Sequence, residues 1–346
     1  MAGKSRADQS AYQKLKKDIA AGDIGRLYVF HGEETYLRDH YLGQMRKKLL
    51  PAGMEEFNLH TLNGREFDVR TLEQLVDCLP MMSGRTLIQV NDYDLYKGGD
   101  KDALAALLSD LPEYVCLVFV YDLIEYKADA RTKLAGVLKK YGSVVAFNRQ
   151  EQGDLVDWIA RRFRALDKDI GTEEAKYLIF LCGDLMTTLI SEIGKIGAYA
   201  PHHRITREDI DAVATPQLDA VVFQMTDAIA QGNFDRAAAV LSDLFHMQEA
   251  PIKLLSVLGR QLRQLYTARL AIEERKSAGY LMELWGMRSA WPAEKLMQSA
   301  RRFSLPWCRN AVLRCAQCDL AMKSTGADGQ ELMTSLLLEL AQKKGA

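Results

Sequence analysis

Apolar positions in the first 150 residues follow two alternating rhythms. Spacing of three and four residues predicts helices, and short apolar runs bounded by turn residues predict buried strands. Tyr12, Leu15 and Ile19 mark a helix over 10–22, with Gly22 in the position of a C-terminal cap. The run 26–32 reads as a strand ending in glycine, and 35–50 as an amphipathic helix with Thr35 as its cap and basic residues in its last turn. Residues 57–62 alternate like a strand. Val69, Leu72, Leu75, Val76 and Leu79 share one helical face over 69–79, which Pro80 stops. Strands are predicted over 86–90, 115–121 and 143–148, and helices over 102–111 and 130–142. Strands alternating with helices, some of them apolar on both faces, predict a parallel sheet covered by helices, with the size of a nucleotide-binding α/β domain.

Beyond residue 150 only helical patterns continue, beginning with 154–166, 173–182, 185–200 and 206–214. Thr215-Pro216 is a seam between a small helical bundle and a larger one. The expected domains are therefore 1–150, 151–215 and 216–346, in keeping with roughly 100–200 residues per domain.

Composition narrows the class. Hydrophobic residues make up 48% and charged residues 26% of the chain, as in soluble globular proteins and unlike disordered or collagen-like ones. The longest apolar run, around 116–121, extends over 114–121 and is eight residues, and that at 177–182 is six, far below the roughly 20 that a membrane span needs. The opening residues carry no apolar signal region. Six scattered cysteines predict reduced thiols in a cytoplasm. Net charge is −1, with 10 Lys and Arg against 6 Asp and Glu in 1–50, 19 against 27 in 51–215, and 16 against 13 in 216–346. No segment is basic enough to grip nucleic acid tightly by itself.

The first strand–turn–helix is where a phosphate-binding loop would sit. Gly32 fits its first glycine. Leu37 stands in place of the second, Arg38 in place of the lysine, and Asp39 in place of the magnesium-ligating hydroxyl. Glu33, Glu34 and Asp39 would repel a triphosphate, and the Cβ of Leu37 restricts the turn. An ordinary turn without nucleotide is expected. The acids at strand ends, Asp92 and Asp122, are then turn residues rather than magnesium ligands. Cys315 and Cys318 form one pair at i, i+3 in a helical pattern, with Cys308 upstream. Structural zinc usually takes two such pairs, so core packing is expected. His202 and His203 read as a solvated loop, and no catalytic constellation or cofactor site is evident.

Two features read as binding surface. In 79–85, Leu79 and Pro80 are followed by Met81 and Met82, then Ser83-Gly84. Two adjacent methionines cannot both face one core from a short turn, so at least one is expected outside, where its flexible thioether suits a partner's pocket. The alternative is methionines pinned under the sheet edge. Arg260 and Arg263, at i, i+3, form either a solvated helical face or a contact to a subunit or DNA.

An ordered set of segments gives the chain a resemblance. A strand followed by Gly-Glu-Glu-Thr-Tyr-Leu (32–37), then 57–64, 79–90, 129–147, 154–163, 205–213, 222–244 and 254–266, resembles the delta subunits of the bacterial DNA polymerase III clamp loader along essentially the whole chain. The resemblance implies an AAA+ architecture: a degenerate nucleotide-binding domain over 1–150, a helical lid over 151–215 and an all-helical collar over 216–346. It implies a non-catalytic subunit of a polymerase holoenzyme, without ATP hydrolysis and without a cofactor. The Ser-Arg-Cys motif of the other loader subunits is missing, since Arg314-Cys315 follows Leu313. The implied partners are the β sliding clamp, the gamma/tau and delta prime subunits in a hetero-pentamer, and primer–template DNA, all in the replisome of a cytoplasm. No membrane is implied. In the family, a hydrophobic pair inserts into the clamp. Here it falls on Met81 and Met82, where many relatives carry an aromatic residue. The alternatives are an AAA+ ATPase with its own nucleotide cycle, or a helical scaffold without a clamp role.

Overall fold

The run Val115–Val120 is buried at every position and forms the central strand of the first part of the chain. In the computed structural model, which describes residues 6–287 and 291–342, the chain divides into two units. One comprises Met1–Gln150 with Leu185–Thr187, the other Glu151–Asp184 with Thr188–Ala346.

The first unit runs α1 (Arg6–Ala21), β1 (Leu27–His31), α2 (Thr35–Leu49), α3 (Glu55–Asn58), β2 (Leu59–Asn63), α4 (Val69–Asp77), β3 (Thr86–Asn91), α5 (Lys101–Ser109), β4 (Val115–Val120), α6 (Lys133–Tyr141) and β5 (Ser143–Ala146). All five strands are parallel, in the order β2-β3-β4-β1-β5. This is the helix-covered parallel sheet that the alternating pattern predicted. Val29, Ile88, Val90, Leu117 and Phe119 fill one core with Leu72 and Val76 of α4, Leu104 and Leu108 of α5, and Leu134 and Leu138 of α6.

Some expectations shift. Glu34, not Thr35, occupies the cap of α2, because its carbonyl already accepts the Arg38 amide at 3.2 Å. The strand expected from residue 57 begins at Leu59, and the short helix α3 precedes it. Helix α4 ends at Asp77 instead of 79. A residue before proline is pushed out of the helical region, so Pro80 acts upstream of itself. Leu79 consequently leaves the buried face and is exposed.

The second unit runs α7 (Gln152–Arg164), β6 (Asp169–Ile170), α8 (Thr172–Cys182), α9 (Met186–Tyr199), β7 (Arg204–Ile205), α10 (Arg207–Val213), α11 (Leu218–Gln231), α12 (Phe234–His246), α13 (Pro251–Glu273), α14 (Ala278–Leu284), α15 (Trp291–Ala300), α16 (Leu305–Ser324) and α17 (Gly329–Gln342). The parallel pair β6–β7, which buries Ile170 and Ile205, corrects the purely helical expectation. Two-residue strands are too short to show a period.

Helix α13 is the axis of the C-terminal bundle. Leu254, Leu255, Leu258, Leu262 and Leu265 are buried along it, and Gly259 admits α16 closely. A Cβ there would lie 3.0 Å from the Cys315 sulfur. Cys315 points to the Leu255 carbonyl and Cys318 to the Leu332 carbonyl, so the two thiols serve different helices as core residues. No single described helix is long and apolar enough to cross a membrane.

Burial pushes the Cys116 and Cys182 thiols up to about 12 and those of Cys308 and Cys315 up to about 11, and it raises Cys318 as well. Thiolates are the reactive form. At pH 8, a chromogenic disulfide should therefore titrate exposed Cys78 rapidly and the five buried thiols only after unfolding. Rapid reaction of several thiols in the folded protein would contradict this packing.

Candidate functional site

In a parallel α/β sheet, ligands gather at the carboxyl ends of the strands. Here that edge is occupied by the protein's own groups. Gly32 has φ +119°, and a Cβ on it would fall 2.4 Å from the Phe147 carbonyl oxygen. The loop is thus pressed against the chain leaving β5, where the Glu34 amide donates to that same carbonyl at 2.8 Å. Leu37 is buried in the core.

Arg38 is buried too. Its guanidinium donates to Asp39 Oδ1 at 2.9 Å, to Asp122 Oδ1 at 2.7 Å and to the Tyr121 carbonyl at 3.3 Å. Burial opposes its charge, but hydrogen bonds to Asp39 and Asp122 outweigh that and hold its pKa above the ordinary value. Asp92, at φ +52°, accepts the amides of Asp122 and Leu123 at 2.8 Å each and that of Ile124 at 3.3 Å. Arg38, Asp39, Asp92 and Asp122 therefore come together as one self-satisfied network.

Leu79, Pro80, Met81 and Met82 lie at the opposite edge, in the turn that leads into the amino end of β3. Leu79 is 77% exposed, Met81 54% and Met82 82%. Pro80 is half-buried. Three large apolar side chains in four residues of surface are unusual for a turn.

The backbone beneath them is anchored. Met81 N donates to Asn58 Oδ1 at 2.8 Å, and Asn58 Nδ2 donates back to the Met81 carbonyl at 2.9 Å. Met82 follows at φ +53°, a costly conformation for a long side chain. Ser83 Oγ donates to the Arg85 carbonyl at 3.0 Å. The Arg85 guanidinium binds the carbonyls of Ile24, Gly25 and Val115. Asn58 and its neighbour Phe57, which is 51% exposed, belong to a run whose local pattern marks only a strand and not a binding surface.

Arg260 and Arg263 are exposed on α13 of the second unit. Arg260 pairs with Asp219 of α11, which ties it into its own bundle. His202 and His203 are exposed, and Lys168 Nζ donates to the His202 carbonyl at 2.8 Å. Among the described residues no group of three or more His, Cys, Asp or Glu side chains is arranged to hold a metal ion.

Two family models match the chain. One, for the DNA polymerase III delta subunit, covers residues 28–148, and the other, for the C-terminal domain of that subunit, covers 219–340. The chain belongs to the DNA polymerase III delta subunit family. The Bacillus subtilis DNA polymerase III subunit delta is 24% identical over 337 residues, spanning 94% of this chain and 96% of that protein. The probable delta subunit of Aquifex aeolicus is 21% identical, spanning 92% of each. Among solved structures, the Bacillus subtilis DNA clamp loader delta protein shares the fold with a TM-score of 0.56 at 22% identity, covering 96% of this chain and 99% of that one.

The Arg38 network makes a stability prediction for this delta family member. Arg38→Ala removes the donor to the Tyr121 carbonyl and the partner of Asp122. Stranding a buried acceptor costs about 1–3 kcal/mol, and Asp122, which stays half-exposed, adds little. Thermal unfolding should show the first unit melting lower by about 2–4 °C for each kcal/mol. An unchanged transition would mean the network adds nothing to stability.

Proposed function

We propose that the chain grips and opens the β sliding clamp through the Leu79–Met82 turn, as the non-hydrolysing delta subunit of a clamp loader. The observation that carries this is the exposed apolar tip on a hydrogen-bonded backbone. Burying one methionine side chain contributes about 1.5–3 kcal/mol, less roughly 0.5–1.5 kcal/mol for ordering it. The pair thus supplies about 2–4 kcal/mol of contact.

Opening follows from differential binding. A tip that fits the opened clamp interface better than the closed one shifts the ring toward the open state by the difference in affinity. Nothing in that step requires nucleotide on this chain. ATP-driven changes in neighbouring subunits would expose or withdraw the tip. In this reading residues 151–215 form a lid. Residues 216–346 form a collar that joins gamma/tau and delta prime in a hetero-pentamer. Arg260 and Arg263 lie on the collar surface, where Arg263 is the cation better placed for a neighbouring subunit or primer–template DNA. The compartment is the cytoplasm, at the replisome.

The nucleotide-free reading rests on Arg38. Its charge is neutralised by Asp39 and Asp122, and the magnesium-ligating hydroxyl is replaced by Asp39. Calorimetry with Mg-ATP should give no saturable heat in the micromolar range. Arg38→Lys should not create binding, because Glu33, Glu34 and Leu37 remain. A micromolar dissociation constant, about −8 kcal/mol, would instead establish an ATPase-type subunit.

The tip is tested by Met81→Ala with Met82→Ala. Clamp affinity should fall roughly 30- to 1000-fold, with the melting temperature unchanged because both side chains are exposed. A double variant that binds the clamp normally but melts several degrees lower would make the pair part of the core and move the contact elsewhere.

A further inference from the structure

We infer that Asn58 is a positioning residue for the clamp-binding tip, holding the backbone of Met81 in its binding conformation before any partner arrives. This rests on the reading of Leu79–Met82 as the clamp contact. Asn58 lies at the junction of α3 and β2 and is wholly buried, whereas the residues it serves are among the most exposed apolar groups of the chain.

The geometry leaves the amide one orientation. Oδ1 accepts the Met81 amide at 2.8 Å, one Nδ2 proton reaches the Met81 carbonyl at 2.9 Å, and Nδ2 also donates to the Met54 carbonyl at 3.0 Å. A flipped amide would set donor against donor and acceptor against acceptor at each of these contacts. The paired donor and acceptor imitate what a neighbouring β-strand residue offers. Met81 is thus held by a strand-like bridge although it belongs to no strand. Asn58 is itself fastened, since its backbone amide donates to the Met54 carbonyl at 3.2 Å.

The bridge has a consequence for Met82. Its φ of +53° is uphill for a methionine and would relax in a free loop, turning the side chain elsewhere. Fixing Met81 one residue earlier limits that relaxation. Apparent affinity scales with the fraction of molecules already in the competent conformation. If loss of the bridge leaves about a tenth of the tips competent, clamp affinity falls about tenfold. Because the bound contacts are intact, the loss appears in the association rate. Deleting the methionines has the opposite signature, a faster dissociation.

The test uses the full-length chain and immobilised β clamp from the same source. Asn58→Ala should associate about tenfold more slowly, with dissociation unchanged within about twofold. Hydrogen exchange without clamp should show the Met81 amide protected in the parent chain and unprotected in Asn58→Ala. Parent-like association by Asn58→Ala, or an unprotected Met81 amide in the parent, overturns the inference. If Asn58→Ala does not fold, Asn58→Asp replaces it. That variant keeps size and the acceptor for the amide but sets an oxygen against the Met81 and Met54 carbonyls, so it too should associate more slowly. Met81→Ala with Met82→Ala separates the two claims. If that variant binds normally the clamp reading fails, whereas if it alone loses binding only the role of Asn58 fails.

Discussion

Arg38 faces Asp122 across 2.7 Å, and much of the molecule's character follows from that pair. In a nucleotide-binding loop, the cation at this point would look outward to a phosphate. Here it turns inward, joins the start of α2 to the end of β4, and is neutralised where it lies. The carboxylate at the end of β4, which could otherwise hold magnesium, is consumed by the same contact. Asp92, at the end of β3, spends its oxygen on three backbone amides of the following turn. At the carboxyl ends of these strands the charges are therefore paired within the protein itself.

A parallel sheet has two unlike edges. Helix amino termini and Gly-rich turns make the carboxyl edge the usual place for small ligands. The amino edge receives chains returning from helices and ordinarily serves packing alone. In this chain the amino ends of β2 and β3 carry Asn58 and the Leu79–Met82 turn side by side. A protein surface, unlike a phosphate, needs no helix dipole. It needs exposed apolar area held still. Pro80 and the Asn58 bridge fix the backbone, and Arg85 fastens the return to the sheet through three carbonyls.

How much of this the sequence disclosed depends on the range of each interaction. The sheet was legible because each strand announces itself locally, as the wholly apolar Val115–Val120 does. The cysteines at 315 and 318 were legible as core because helical spacing puts both on one face. The methionine tip was legible because two adjacent apolar residues beside a proline break every local period. What stayed hidden involved partners distant in sequence. Asp122 reaches Arg38 across 84 positions, and Met81 reaches Asn58 across 23. An asparagine between a short helix and a strand reads as a turn residue, and nothing in its neighbours names Met81. The early end of α4 was hidden for a different reason. Pro80 marks the stop in the sequence, but its steric effect falls upstream, on the residue before it.

The choice of methionine over an aromatic ring bears on why the anchoring is so thorough. A phenyl ring has two side-chain torsions and brings its rigidity with it. A methionine has three, fits pockets of less defined shape, and loses more freedom when bound. A tip built from Met81 and Met82 therefore cannot draw order from its side chains and must take it from the backbone. The backbone supplies it through a buried amide, which water cannot easily displace. In the proposed clamp contact, side-chain freedom above a fixed main chain would let the tip adapt to an interface that changes shape, as a ring passing from closed to open does, while the approach direction stays constant. Were the main chain also free, the entropy of ordering both would consume most of the few kcal/mol that two methionines provide.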